Sequence, residues 1–293
     1  MNWAEGSPQL RLRANGTESK LVPVPGMAFH YVSDDARRRC VGHKPFRSAG
    51  VEWVDCDRDP LRGSRTCDAC TAIDATFASQ LHHAHTRGAG EIDAAIRSHL
   101  EQPNHLYLAG FRDGTIKVGT STARRLQTRL EEQGAWKASI VATATDGFAV
   151  RVLEDAVTTE LGLGQSVSIG RKLAGLAAPM TNEHIDRELD RWTRSTHDLI
   201  ASMADSRFTA TSDRWETVSA SDGRWDRVHP YPLRLDRGNH ALELLTANGR
   251  AVMAQRPDGT DLFVSDIAQL FGLEITLLDD VLADEVTVQD SLF

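Results

Sequence analysis

The sequence predicts an α+β protein in three parts: a Cys-rich metal-binding module toward the N-terminus, a small central mixed or antiparallel sheet with flanking helices, and a β-rich C-terminal module. Three observations carry this expectation. All four cysteines of the 293-residue chain fall between Cys40 and Cys70. From His105 to Glu160 the apolar residues read as strand, turn, strand, helix, strand, helix. After Asp205, short apolar runs are separated by Ser221-Asp-Gly223, Asn248-Gly249 and Asp258-Gly259, which are turn signals between strands.

Residues 1–35 carry Leu10-Arg-Leu-Arg13 and Lys20-Leu-Val-Pro-Val-Pro-Gly26. Such Pro-broken runs suit edge strands, so a small β element is expected. Residues 36–104 are expected to hold a zinc module followed by helices. Cys67-Asp-Ala-Cys70 has the gap that lets two thiolates grip one ion, and Cys40 and Cys56 complete a four-sulfur set, with His43 as an alternate ligand. Apolar residues are sparse here, so bound zinc would supply the folding free energy that burial does not. A closed four-ligand site leaves no open position for chemistry, which gives the ion a structural role. Ile73, Phe77 and Leu81, and then Ile92, Ile96 and Leu100 beyond a Gly88-Ala-Gly90 break, recur at helical spacing. His82, His83 and His85 read as surface or packing histidines, since neighbours on a helix point to different faces.

Residues 105–180 form the central domain. Tyr107 to Phe111 and Ile116 to Gly119 flank Asp113-Gly114 as a hairpin. A basic helix follows from Ala123 to Gln133, with Leu126 and Leu130 on its apolar stripe, and Gly134 stops it. Trp136 to Thr145 is a third strand. Val150, Leu153, Val157 and Leu161 share one helix face, with Glu154 at its edge and Glu160 on the surface. Residues 165–180 are irregular around a short helix. Residues 181–204 form a connecting amphipathic helix opening at Thr181, with Ile185, Leu189, Trp192 and Leu199 inward. Residues 205–293 form the acidic β-rich module, with a terminus beyond Leu277 that frays.

Charge and hydropathy narrow the function. The net charge is −8, and the segment from Asp205 onward holds eight Arg and no Lys against sixteen Asp or Glu. A globally acidic chain is a poor non-specific nucleic-acid binder, because phosphate contacts dominate that affinity. The stretch His105–Ser139 runs the other way, with six basic and three acidic residues, compatible with a local basic groove. No apolar run is long enough to span a membrane. The opening Met1-Asn-Trp-Ala-Glu-Gly-Ser-Pro resembles neither a signal nor a transit peptide, so a cytoplasmic location is expected. In that compartment clustered cysteines read as metal ligands rather than disulfides.

Tyr107 on the first strand, Lys117-Val-Gly119 on the second, Arg129 in the next helix and Glu154 in the following one together resemble the GIY-YIG nuclease superfamily. With the Cys-rich segment in front and Gln133-Gly-Ala135 behind, the stretch is most similar to a bacterial branch of unknown function. The resemblance covers about Cys40 to Glu160. It implies a metal-dependent endonuclease or phosphodiesterase acting on DNA, with Mg²⁺ or Mn²⁺ on Glu154, Arg129 stabilising transition-state charge, and Tyr107 orienting or deprotonating water with help from Lys117. Gly119, Arg124 and Arg125 would contact substrate. Two departures stand out. The first triplet is Leu106-Tyr-Leu108, and Lys117 stands where the superfamily usually has Tyr. Asn182 and Gln165 compete for the late amide. Two other functions fit: a non-catalytic zinc-containing nucleic-acid-binding or regulatory protein on a degenerate nuclease fold, and an enzyme acting on a small substrate.

Overall fold

The computed structural model describes residues 2–4, 7–13, 17, 19–31, 37–44, 46–47, 50–51, 53–82, 84–86, 92–257 and 259–275. Strands β1 (Asn2–Ala4), β2 (Ser7–Leu12) and β3 (Lys20–Pro23) form an antiparallel three-stranded sheet. Strand β4 (Met27–Tyr31) leaves that sheet. A two-stranded ribbon, β5 (Phe46–Arg47) and β6 (Gly50–Val51), lies in the Cys-rich segment. Helix α1 (Asp68–His82) starts inside the Cys67–Cys70 turn, and α2 (Ala94–Leu100) follows a short 3-10 turn at Ala84–Thr86. The central unit contains β7 (Asn104–Gly110), β8 (Ile116–Thr122), α3 (Leu126–Gln133), β9 (Lys137–Ala144), α4 (Gly147–Leu161), α5 (Ile169–Ala177), α6 (Asn182–Met203) and β10 (Phe208–Glu216). Then come β11 (Val228–Pro230), β12 (His240–Asn248), β13 (Ala251–Gln255) and β14 (Leu262–Asp266). The chain is α+β, with a Cys cluster near the N-terminus and a β-rich C-terminal region.

The central sheet is antiparallel throughout, in the order β10-β9-β7-β8. The β7–β8 hairpin turns at Asp113-Gly114, where Gly114 takes the left-handed φ of +80° that the turn demands. One face carries Leu106, Leu108, Ile116 and Val118 against Val150, Leu153 and Val157 of α4 and Ile185 and Leu189 of α6. The other carries Tyr107, Ala109 and Ala138 against Leu130 of α3. This is the period-two alternation of a sheet buried on both sides. The helices are capped as their sequences suggest. Asp146 Oδ1 accepts from Ala149 N at 2.7 Å, Thr181 Oγ1 accepts from His184 N at 3.2 Å, and α3 ends on Gly134 at φ +67°. A register shift makes Leu106 pair with Ala142 but Tyr107 with Ile140, so Val141 is an inserted residue. Its carbonyl oxygen lies 3.1 Å from His197 Nε2 of α6, which also reaches Thr211 O at 2.8 Å. Bulges of this kind re-aim the side chains beside them, and Tyr107 is the next residue along.

Several sequence expectations are corrected. The boundaries at 35, 180 and 205 cut across the sheets. β4 pairs with β12 in a five-stranded sheet of order β11-β14-β13-β12-β4, and β10 pairs with β9 in the central one. The N-terminal strands are not a separate element either: Trp3, Leu10 and Val24 share a core with Leu242, Leu244, Val252 and Ile267. α6 packs on β9 and β7 rather than bridging two halves. The basic segment begins as a 3-10 turn at Ala123–Arg125 before α3 takes over. Ile73 of α1 is 41% exposed and does not enter the core, whereas Leu81 packs against Ile92, Ile96 and Leu100, which are buried together. His83, the Gly88–Gly90 break, Asp258 and the acidic terminus beyond Leu277 lie outside the described residues. Among the described residues no helix is long and apolar enough to cross a membrane.

Candidate functional site: a cationic cluster and a four-thiol cluster

Tyr107 organises the first cluster. It is fully buried on β7, directly opposite Gly119 of β8. A Cβ on Gly119 would lie 2.6 Å from both Cζ and the hydroxyl oxygen of Tyr107. Gly119 therefore supplies the floor on which the ring lies, which explains a glycine within a strand. Gln133 Nε2 donates to the phenol at 2.8 Å. Burial pushes the phenol's pKa up, while the Arg129 guanidinium and the Gln133 hydrogen bond pull it down.

Lys117 is on the same sheet face as Gly119, two residues earlier. Only 7% of it is exposed, and its Nζ donates to the Gln165 carbonyl at 3.2 Å. Burial, then the positive charges of Arg129 and Lys172, bring its pKa down to about 7. Lys172 of α5 donates to the Gln133 carbonyl at 2.7 Å and lies over the Phe111 ring at 4.8 Å. Burial, Arg250 and Arg129 bring it down to about 8. Glu154 of α4 is buried and acts electrostatically on both Tyr107 and Lys117. Its carboxylate is already ion-paired with Arg151.

The structure thus brings together Tyr107, Lys117, Gly119, Arg129 and Glu154, which come from β7, β8, α3 and α4. Arg129 has no ion pair among the described residues, because Glu132 pairs with Arg125 and Glu154 with Arg151. Arg124 and Arg125 are exposed on the 3-10 turn leading into α3, outside the cluster. Asn182 is engaged elsewhere, accepting from the Trp136 indole at 2.9 Å. Gln165 reaches the cluster through its main chain. Glu160 is exposed, as expected. Three residues escaped the sequence reading: Gln133, Lys172 and Arg151. Gln133 is four residues after Arg129, on the same helical face, and Arg151 is three before Glu154. Both were legible as neighbours. Nothing in the sequence placed Lys172 there.

The second cluster is the Cys module. The Sγ atoms of Cys40, Cys56, Cys67 and Cys70 all lie within 4.8 Å of one another. Cys56 and Cys67 are 3.8 Å apart, close to the edge of a tetrahedron with metal–sulfur bonds of about 2.3 Å. Two loops are held together by the His43–Val54 bridge, and the third strand of ligands is the turn opening α1. The N–H groups of Gly42 and Cys67 donate to Cys40 Sγ at 3.4 and 3.2 Å. Hydrogen bonds centred on the Cys70 N–H bring Cys67 down to about 7, the thiolate-favouring direction a ligand needs. Burial pushes the Cys70 and Cys56 thiols up. The four thiols can hold a metal such as zinc. His43, the alternate ligand, is not in that four-atom set. Its Nδ1 lies 3.3 Å from Cys70 Sγ, the place of an outer group that hydrogen-bonds a ligand. His85 pairs instead with Asp155 at 2.9 Å, a packing role.

One family model, described as protein of unknown function (DUF2797), matches residues 38–219. That span runs from the Cys module through the central sheet to just past β10. No curated protein and no solved structure matches the chain.

Proposed function

The chain belongs to the DUF2797 family, and on that premise we propose that it is a metal-dependent endonuclease or phosphodiesterase acting on DNA, similar to GIY-YIG nucleases, with a structural zinc ion on Cys40, Cys56, Cys67 and Cys70. One observation carries the catalytic reading: Tyr107, Lys117, Arg129 and Glu154, drawn from four separate elements, converge on one cluster, the first two and Glu154 buried and Arg129 at its exposed edge. The hairpin–helix–strand–helix order and the seating of Tyr107 on Gly119 support it. Arg129, without an acidic partner, would bind a phosphate oxygen and stabilise negative charge on it. Tyr107 would orient the attacking water through its hydroxyl. Lys117, easily deprotonated in this setting, would take up the proton. Glu154 would hold Mg²⁺ or Mn²⁺, which when bound supplies Lewis-acid polarisation of a phosphate oxygen. One carboxylate with waters suits Mg²⁺, provided Arg151 releases it. The exposed Arg124 and Arg125 would meet the DNA backbone.

The Arg151–Glu154 ion pair favours a second reading, a non-catalytic nucleic-acid-binding protein on the same scaffold, because it occupies the carboxylate that would hold the metal. A plasmid-nicking assay with Mg²⁺ or Mn²⁺ separates the two. The first expects nicking that Glu154→Ala abolishes with the fold intact. The second expects no turnover, but salt-sensitive DNA binding that Arg124→Ala weakens. Metal-dependent nicking that survives Glu154→Ala sinks the first.

A further inference from the structure

We propose that Lys172, together with Lys117 and Arg129, forms a seat for a phosphate oxyanion, and that Lys172 is the contact which α5 adds to it. The proposal deepens the reading of the same cluster but does not need catalysis to be correct. It starts from charge. Three cationic groups lie within electrostatic reach of one another, around a buried phenol. Lys117 is depressed by Arg129 and Lys172, and Lys172 by Arg250 and Arg129. The acidic groups nearby are committed: Glu154 to Arg151, Asp266 to Arg250, Asp113 to Arg171 at 2.9 Å. Lys117 is buried, Lys172 half-buried and Arg129 exposed, so the cluster runs from the interior to the surface. A buried charge is ordinarily paired, and like charges gathered without free carboxylates at a solvent-reachable edge are arranged for an anion to pair them.

Geometry ties Lys172 to this place. Its Nζ is held at 2.7 Å by the Gln133 carbonyl, while the side chain of the same Gln133 donates to Tyr107. One residue therefore positions both the ammonium and the phenol. Phe111 backs the ammonium at 4.8 Å, a favourable ring–cation contact that still leaves donor hydrogens free. Lys117 is similarly held by one carbonyl, that of Gln165, with two N–H donors to spare. Two lysines anchored on main-chain oxygens and one guanidinium that hydrogen-bonds Tyr107 but has no acidic partner among the described residues suit a tetrahedral oxyanion, which accepts from several directions. The Gln133 Oε1 atom is buried without a partner and would accept from a hydroxyl or water on the same ligand. The C-terminal module sets this geometry. Its Asn248-Gly249 turn abuts Gly134, a Cβ on Gly249 coming 2.6 Å from Gly134 N, and Arg250 follows directly.

The test uses the zinc-loaded full chain and inorganic phosphate, followed by calorimetry. Wild type should bind saturably, with a Kd on the order of millimolar or tighter. Lys172→Gln should weaken binding by about tenfold or more, with the exposed Lys20→Gln unchanged. Undiminished affinity in Lys172→Gln, or no saturable binding by wild type, overturns the proposal. Chemical footprinting needs no variant: phosphate should protect Lys172, but not Lys20, from acylation, and equal labelling with and without phosphate also overturns it. Displacement of phosphate by duplex DNA would identify a backbone phosphodiester as the occupant, and its absence a free phosphate. Phosphate binding by a wild-type chain that nicks no plasmid with Mg²⁺ or Mn²⁺ would leave this seat standing while the nuclease reading fell.

Discussion

Gly119→Ala tests the packing on which the cationic cluster rests. The added methyl would lie 2.6 Å from Tyr107 Cζ and from its hydroxyl oxygen, and 2.9 Å from Cε2. Carbon atoms attract at about 3.5–4.0 Å, so the overlap is close to 1 Å. The ring has nowhere to go: Tyr107 is fully buried, and Gln133 holds its hydroxyl at 2.8 Å. Gly119 does not have a left-handed φ, so alanine suits its backbone and restricts the unfolded chain, a gain of about 0.4–1 kcal/mol. Overpacking opposes it by about 1–3 kcal/mol. Sterics win, and the net loss is about 1–2 kcal/mol, or roughly 2–6 °C in Tm for a chain of this size. Tyr107→Ala alone should cost roughly 3–5 kcal/mol by leaving a cavity. In that background the Gly119→Ala methyl enters vacated space and should cost nothing, giving a coupling energy of about 1–2 kcal/mol. Denaturant unfolding of the four proteins measures it. A Gly119→Ala protein as stable as wild type, or equally destabilised in both backgrounds, would refute the reasoning.

Lys117→Met should stabilise the protein, and by more at low pH. The folded-state pKa of Lys117 is depressed to about 7, while the unfolded value is about 10.4, so the unfolded chain binds the extra proton between those limits. Wild-type stability therefore gains from rising pH across that window relative to Lys117→Met, and the full penalty is present below pH 7. The advantage of Lys117→Met should shrink by roughly 1–3 kcal/mol between pH 6 and 9; an advantage independent of pH argues against a buried ammonium. For the Cys module, metal analysis of the purified chain should give about one equivalent of zinc, with release on chelation or in Cys70→Ser and loss of order in the segment around Cys40–Cys70. Less than about half an equivalent counts against a structural site.

Much of the local structure was legible because it follows from nearest neighbours. Asp113-Gly114 dictated the hairpin, Gly134 the end of α3, Thr181 the start of α6, and Cys67-Asp-Ala-Cys70 the thiol pair. Periodicity located Leu153 and Val157 in the core and set Glu154 beside them. The same reasoning failed at Ile73, which stays exposed, and where partners were distant in the chain.

The tertiary structure alone decided those distant pairings. β4 follows the N-terminal strands along the chain but pairs with β12, since strand hydrogen bonds are the same whichever chain segment supplies them. β10 joined β9 for the same reason. The sequence by itself determined the hairpin, helices and third strand of the central unit, the four-thiol spacing and the candidates Tyr107, Lys117, Gly119, Arg129 and Glu154. It could not bring Lys172 and Arg250 to them, or show that Arg129 is left without an acidic partner among the described residues. Side-chain charge acts through space rather than along the chain, so which cations lack a partner is settled only when the whole molecule has packed.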